Sequence, residues 1–184
     1  MSEKFNTKYR IPSARFKNWD YRSNGIYFIT ICTQNRECFF GKIDNGKMAL
    51  NTIGNLAQEY WLEIPLHFSF VELGPFVVMP NHLHGVLIIN KNDTFNTVET
   101  LQCNVSTNDA MSNISPKPGS ISTIIRSYKS AVTKHVRKHH ANFQWQARFY
   151  DVIIRNEFTY ENIFSYIEAN PMNWEQDDLY LSNN

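Results

Sequence analysis

The chain has 184 residues, of which 42% are hydrophobic and 19% charged, with a formal net charge of +1. That composition excludes wholesale disorder, and a chain this long buries roughly 70% of its unfolded surface without disulfides or metals to hold a core. The three cysteines, Cys32, Cys38 and Cys103, form no CxxC pair, no apolar run approaches a membrane span, and the N-terminus lacks a secretory h-region. The expectation is a cytoplasmic protein with no membrane partner.

In chain order, residues 1–22 read as a basic N-terminal arm, with Arg10, Arg15 and Lys17 among its cations. Gly25 to Gln34 is β-branched and aromatic and predicts a strand. Asn45-Gly46 marks a turn. Asn51 or Thr52 can cap a helix whose apolar residues, from Ile53 to Ile64, keep a 3.6-residue stripe up to Pro65. Phe76 to Met79 and Leu83 to Ile89 flank Pro80-Asn81 and predict two antiparallel strands joined tightly. Residues 90–119 are rich in Asn, Ser and Thr and read as a mobile loop. Ser120 or Ser122 then caps a second helix, apolar at Ile121, Ile124, Ile125, Tyr128, Ala131, Val132 and Val136. Phe149 to Ile154 predicts another strand, and Glu157 to Ala169 a third helix stopped at Asn170-Pro171. Residues 175–184 read as a loosely held tail.

The order β-α-β-β-α-β plus a helix is that of a ferredoxin-like α+β plan: a four-stranded antiparallel sheet with two helices on one face. Residues 23–174 make one domain on this reading. Many functions use that plan, so chemistry has to come from particular residues.

His82 and His84 lie at i and i+2 of a strand and project to one face, with Leu83 on the other. Two imidazoles beside a turn can begin a divalent metal site. Two unrelated histidines would produce the same pattern, and spacing alone leaves both readings open. Tyr166 and Asn170 share a helical face at i and i+4. They can face one point together, or Tyr166 can be a half-buried aromatic and Asn170 a C-cap. Tyr150, on the last strand, is a second candidate nucleophile.

Charge is segregated. Residues 115–155 carry Lys117, Arg126, Lys129, Lys134, Arg137, Lys138, Arg148 and Arg155 against Asp151 alone, whereas residues 156–184 carry acids and no Lys or Arg. Basic residues interleaved with aromatics suit a single-stranded nucleic acid, and a solvated helix face fits equally. Arg126, Lys129, Lys134 and Arg137 are candidates for a phosphate track, Arg148 and Arg155 for phosphate contacts, and Arg10, Arg15 and Lys17 for hairpin recognition.

Taken in order, Tyr27 to Thr33, Gly41-Lys42-Ile43, Val78-Met79-Pro80-Asn81-His82-Leu83-His84-Gly85, Arg126-Ser127-Tyr128-Lys129, Trp145-Gln146, Ile154-Arg155-Asn156-Glu157 and Tyr166-Ile167-Glu168-Ala169-Asn170-Pro171 resemble the REP-associated tyrosine transposases, members of the HUH single-strand endonucleases. The resemblance spans about residues 15–174. It implies that His82, His84 and Asn170 bind Mg²⁺ or Mn²⁺. It implies that Tyr166 is the nucleophile and forms a 5′-phosphotyrosine link in single-stranded or hairpin-containing DNA. A nickase and strand transferase working on the nucleoid, as monomer or homodimer, is the leading expectation. The alternatives are a DNA-hairpin-binding protein without catalysis, a metal-dependent phosphoesterase using water, and an RNA-binding module.

Overall fold

The computed structural model describes residues 19–91 and 117–181, together with the backbone of two short paired strands, β1 (Lys4–Phe5) and β2 (Lys8–Tyr9). Arg10, Arg15, Lys17 and nearly all of the 90–119 stretch therefore lie outside the described residues. The remaining elements, in chain order, are β3 (Gly25–Cys32), β4 (Gly41–Asp44), β5 (Lys47–Leu50), α1 (Thr52–Leu62), α2 (Ile64–His67), β6 (Val71–Val78), β7 (His82–Ile89), α3 (Ile121–Val136), β8 (Tyr150–Ile154) and α4 (Glu157–Ala169).

The fold is mixed α+β around a four-stranded antiparallel sheet in the order β6-β7-β3-β8. This is the ferredoxin-like strand order expected of the sequence. Strand alternation divides the sheet into two layers. Tyr27, Ile29, Ile31, Leu83 and Leu87 point to one face, where α1 and α3 bury them with Trp61, Tyr128 and Val132. Phe28, Val86 and Ile154 point to the other, covered by Ile163 and Ile167 of α4.

Local chemistry sets the element ends. Asn51 caps α1, its Oδ1 accepting from the N–H groups of Ile53 and Gly54 at 2.9 and 3.0 Å. Ser120 caps α3 and Asn156 caps α4. Asn45 and Gly46 both take positive φ, 51° and 70°, so the predicted turn closes a separate β4–β5 hairpin between β3 and α1. Strand β6 begins at Val71, upstream of the expected Phe76. Pro75 sits within it at an irregularity in the pairing between Leu73 and Phe76, and β6 is an edge strand, where a missing N–H leaves the ladder intact.

Gly85 explains itself in packing. A Cβ there would lie 2.4 Å from Cζ2 of Trp61, the fully buried indole of α1. Gly85→Ala is expected to destabilise the fold by about 1–3 kcal/mol through overpacking, seen as a lower midpoint in urea at unchanged slope. A midpoint equal to wild type would mean that the indole moves aside freely.

Candidate active site

The connection Met79-Pro80-Asn81 is tight: the Met79 N–H donates to the His82 carbonyl at 2.8 Å. It starts β7 at His82 and aims His82 and His84 at the face that α4 covers. Both rings are buried, with centroids 4.4 Å apart. Each is held through Nδ1. That of His84 lies 2.8 Å from Oγ1 of Thr30, its cross-strand partner on β3. That of His82 lies 2.8 Å from Oδ1 of Asn81. Both Nε2 atoms face the gap beneath α4.

Helix α4 brings Tyr166 to the same gap. Its hydroxyl lies 3.1 Å from His84 Nε2, within one chain. The ring stands edge-on to His84 and Phe28, at centroid distances of 5.1 and 6.2 Å. The side chain is 44% exposed, so a large substrate can reach the phenol. One turn on, Asn170 is buried, and its Nδ2 donates to Asp177 Oδ2 at 2.8 Å. Asp177 Oδ2 also accepts from the Tyr166 hydroxyl at 3.2 Å, and its Oδ1 from the Leu179 N–H at 2.7 Å.

Asp177 was not singled out by the sequence, and the segment that carries it is not loosely held. Trp174 packs over the His82 ring at a centroid distance of 5.8 Å, the short 3₁₀ turn Trp174–Gln176 follows, and the chain is clipped at Asp178 and Leu179 by Arg36 and Asn81. The one signal for Asp177 was the acidic run after residue 156, which carries no spacing information. Thr30 and Asn81, the partners of the imidazoles, lay inside motifs but had no assigned part.

The electrostatics follow from burial. Desolvation keeps both imidazoles neutral, pushing His84 down to about 4, with the neighbouring ring adding to the effect at His82. An imidazole that resists protonation when folded but accepts it near pH 6.5 when unfolded stabilises the fold fully above that pH, and the contribution is lost as pH falls from 6.5 towards about 4. The metal-free protein is therefore expected to lose roughly 2–3 kcal/mol between pH 7.5 and 5.5 from this pair, measured by urea unfolding at the two pH values. Equal stability at both would contradict the buried, neutral pair.

Burial, and then the charge of Asp177, push the Tyr166 phenol well above its ordinary value. Burial opposes ionisation of Asp177 too, but the hydrogen bonds from Asn170 and Leu179 and the nearby imidazoles outweigh it and hold the carboxyl low. The gap is thus lined by an anion, two neutral imidazoles and a protonated phenol. Ligand atoms of His82, His84 and Asp177 all lie within 4.8 Å of one another. Two buried polar atoms, His82 Nε2 and Asn170 Oδ1, have no hydrogen-bond partner among the described residues. A donor set of two imidazoles and a carboxylate fits a divalent cation, which would also satisfy His82 Nε2.

The basic candidates lie elsewhere. Arg126 and Lys134 are exposed on α3, on the layer opposite the imidazoles. Lys129 turns inward: its ammonium donates to the carbonyls of Gln146 and Arg148 at 2.8 and 2.9 Å and lies 5.9 Å from the Trp145 ring centroid, tying α3 to the segment before β8. Burial lowers its pKa to about 8. Arg137 donates through Nε to the Phe143 carbonyl at 2.9 Å. Arg148 and Arg155 are exposed at the two ends of β8, Arg155 with its guanidinium 5.8 Å from the Trp19 ring centroid. Tyr150, 53% exposed on this edge strand, pairs in register with Thr30. His135 bonds the Tyr60 hydroxyl through Nδ1 at 2.8 Å.

No family model matches the chain. An uncharacterized protein of Haemophilus influenzae (strain ATCC 51907 / DSM 11121 / KW20 / Rd) is 42% identical over 174 residues, covering 92% of each chain. The chain belongs to that protein's family. Among solved structures, that of a REP-associated tyrosine transposase bound to a REP hairpin superposes with a TM-score of 0.58 at 18% identity, over 88% of this chain and 74% of that one. The fold of this chain is therefore similar to that of a REP-associated tyrosine transposase, in agreement with the sequence blocks. No helix among the described residues of this family member is long and apolar enough to cross a membrane.

Proposed function

We propose that this protein is a single-strand DNA nickase and strand transferase that recognises hairpin-containing DNA and cuts it with Tyr166. The observation that carries the reading is the 3.1 Å approach of the Tyr166 hydroxyl to His84 Nε2, made by two elements far apart in sequence and within one chain. The resemblance of the motif blocks, and a fold shared with a transposase whose structure holds a REP hairpin, support it.

His82, His84, Asn170 and Asp177 would hold the cation, Mg²⁺ or Mn²⁺; two imidazole donors suit Mn²⁺ better than the oxygen-seeking Mg²⁺. When bound, it supplies Lewis-acid stabilisation of charge on the phosphate and on the departing 3′-oxygen. The chain's own residues do the rest. The Tyr166 oxygen attacks phosphorus, a Tyr–O–P bond forms, the P–O3′ bond breaks, and the 3′-oxygen leaves as a hydroxyl after gaining a proton. Asp177 Oδ2, ionised and 3.2 Å from the phenol, stands where it can take the phenolic proton. Phe28 and His84 fix the ring edge-on, so the oxygen is delivered without a rotamer search. The phosphoester is kept, and a later attack by another 3′-hydroxyl can rejoin strands.

Substrate grip is assigned to exposed basic residues. Arg148 and Arg155, at the ends of β8 on the same sheet as the imidazoles, would take phosphates near the cut, and Arg126 and Lys134 would meet a more distant part of a folded DNA. A labelled hairpin oligonucleotide with single-stranded flanks, incubated with protein and Mn²⁺, tests the reading. A protein–DNA adduct stable to denaturation is expected; binding without an adduct would favour a hairpin-binding protein, and cutting without an adduct a hydrolase.

A further inference from the structure

Asn81 is fully buried in the connection between β6 and β7. Its main-chain carbonyl accepts from both the N–H and the hydroxyl of Thr33 at 2.9 Å, which fixes the backbone. Its side chain makes three bonds. Nδ2 donates to the Arg36 carbonyl at 3.0 Å and to the Leu179 carbonyl at 2.9 Å, and Oδ1 faces His82 Nδ1 at 2.8 Å.

The chemistry of the partners decides the orientation. Carbonyl oxygens only accept, so the NH₂ end must face Arg36 and Leu179, and the oxygen end is left for His82. That oxygen only accepts as well, so His82 Nδ1 carries the ring proton and Nε2 keeps its lone pair. Nε2 is the atom found buried with no partner among the described residues. A reversed amide would put its NH₂ against Nδ1, move the proton to Nε2 and remove that atom from any ligand set.

We infer that Asn81 is the positioning residue that assigns His82 its metal-binding nitrogen, and that the C-terminal segment holds Asn81 to this task through the Leu179 carbonyl. The inference rests on His82 being a ligand of the proposed site. One short stretch would then serve the centre twice: Asp177 enters the gap, and Leu179, two residues on, orients the amide behind His82. The opposite jaw is built for the same purpose. Asn35 and Arg36 take φ of 54° and 57°, a conformation few non-glycine residues adopt, which turns the Arg36 carbonyl to Asn81 while the Arg36 guanidinium bonds the Asp178 carbonyl at 2.8 Å.

The test needs no DNA. Long-range ¹⁵N–¹H NMR of the metal-free full chain should show His82 as the Nδ1–H tautomer. In Asn81→Ala the ring should lose that fixed tautomer, and Mn²⁺ affinity by calorimetry should fall about 10- to 100-fold. Asn81→Asp keeps an acceptor for Nδ1 but sets a carboxylate against two carbonyls. It should retain the tautomer while hydrogen exchange at the Leu179 amide rises. An Nε2–H tautomer in the wild type overturns the inference without any variant. So does Asn81→Ala with tautomer and affinity unchanged, or Asn81→Asp with Leu179 exchange unchanged. A protein that forms no adduct with DNA yet passes these tests would sink the strand-transfer reading alone; an adduct on Tyr166 together with an Nε2–H His82 would sink this inference alone.

Discussion

Tyr166→Phe is expected to abolish the covalent adduct and to lower strand cutting by at least about 10³-fold, or about 4 kcal/mol of transition-state stabilisation. The substitution removes one oxygen and keeps the ring, whose edge contacts with Phe28 and His84 are made by carbon. Stability and hairpin affinity should therefore stay close to wild type. Mn²⁺ affinity should hold or rise, because the phenol no longer competes for His84 Nε2. Tyr150→Phe is the control: Tyr150 is exposed on an edge strand, in register with Thr30, and adduct formation should persist without its hydroxyl. If Tyr166→Phe still cuts without an adduct, water is the nucleophile and the protein is a hydrolase; an adduct that persists there and is lost in Tyr150→Phe would move the nucleophile to Tyr150.

His84→Gln is expected to remove cation binding by more than the 10- to 100-fold that loss of an outer partner causes, and cutting with it. Gln approximates the length of the imidazole, but its amide nitrogen has no lone pair to give and its single oxygen cannot both meet Thr30 Oγ1 and face the gap. The metal-free variant carries a second signature. In the wild type, two buried neutral imidazoles make the fold acid-sensitive below pH 6.5. With one replaced, about half of the loss between pH 7.5 and 5.5 should disappear. Unchanged Mn²⁺ affinity together with an unchanged pH profile would place His84 outside any metal centre.

These expectations trace back to periodicity. A strand repeats every two residues, so His82 and His84 were bound to share a face. A helix repeats near four, so Tyr166 and Asn170 were bound to share another. What spacing left open was whether the two faces meet. The sheet order decides that they do, because β7 lies at the centre and α4 crosses the layer that α1 and α3 leave free. Asp177 was illegible for a physical reason. Beyond Pro171 the described residues form only the three-residue 3₁₀ turn Trp174–Gln176, and the position of Asp177 depends on Trp174 packing over His82 and on clips from Arg36 and Asn81. The basic face of α3 was legible as a stripe but not as a location. Lys129 runs its stem over Trp145 to reach two carbonyls, which composition does not reveal. Pro75 hid the first half of β6, since a proline inside a strand is acceptable only at an edge or bulge, and edge status belongs to the assembled sheet.

The whole account turns on two imidazoles and one phenol meeting at a single cation. Crystals grown with Mn²⁺ and measured at the manganese absorption edge test this most directly. The predicted result is one anomalous peak bonded to His82 Nε2 and His84 Nε2, with Asn170 Oδ1 and Asp177 completing the shell and the Tyr166 hydroxyl turned towards it from the same chain. Manganese bound away from both imidazoles, or Tyr166 withdrawn from a cation that the imidazoles do hold, would contradict it.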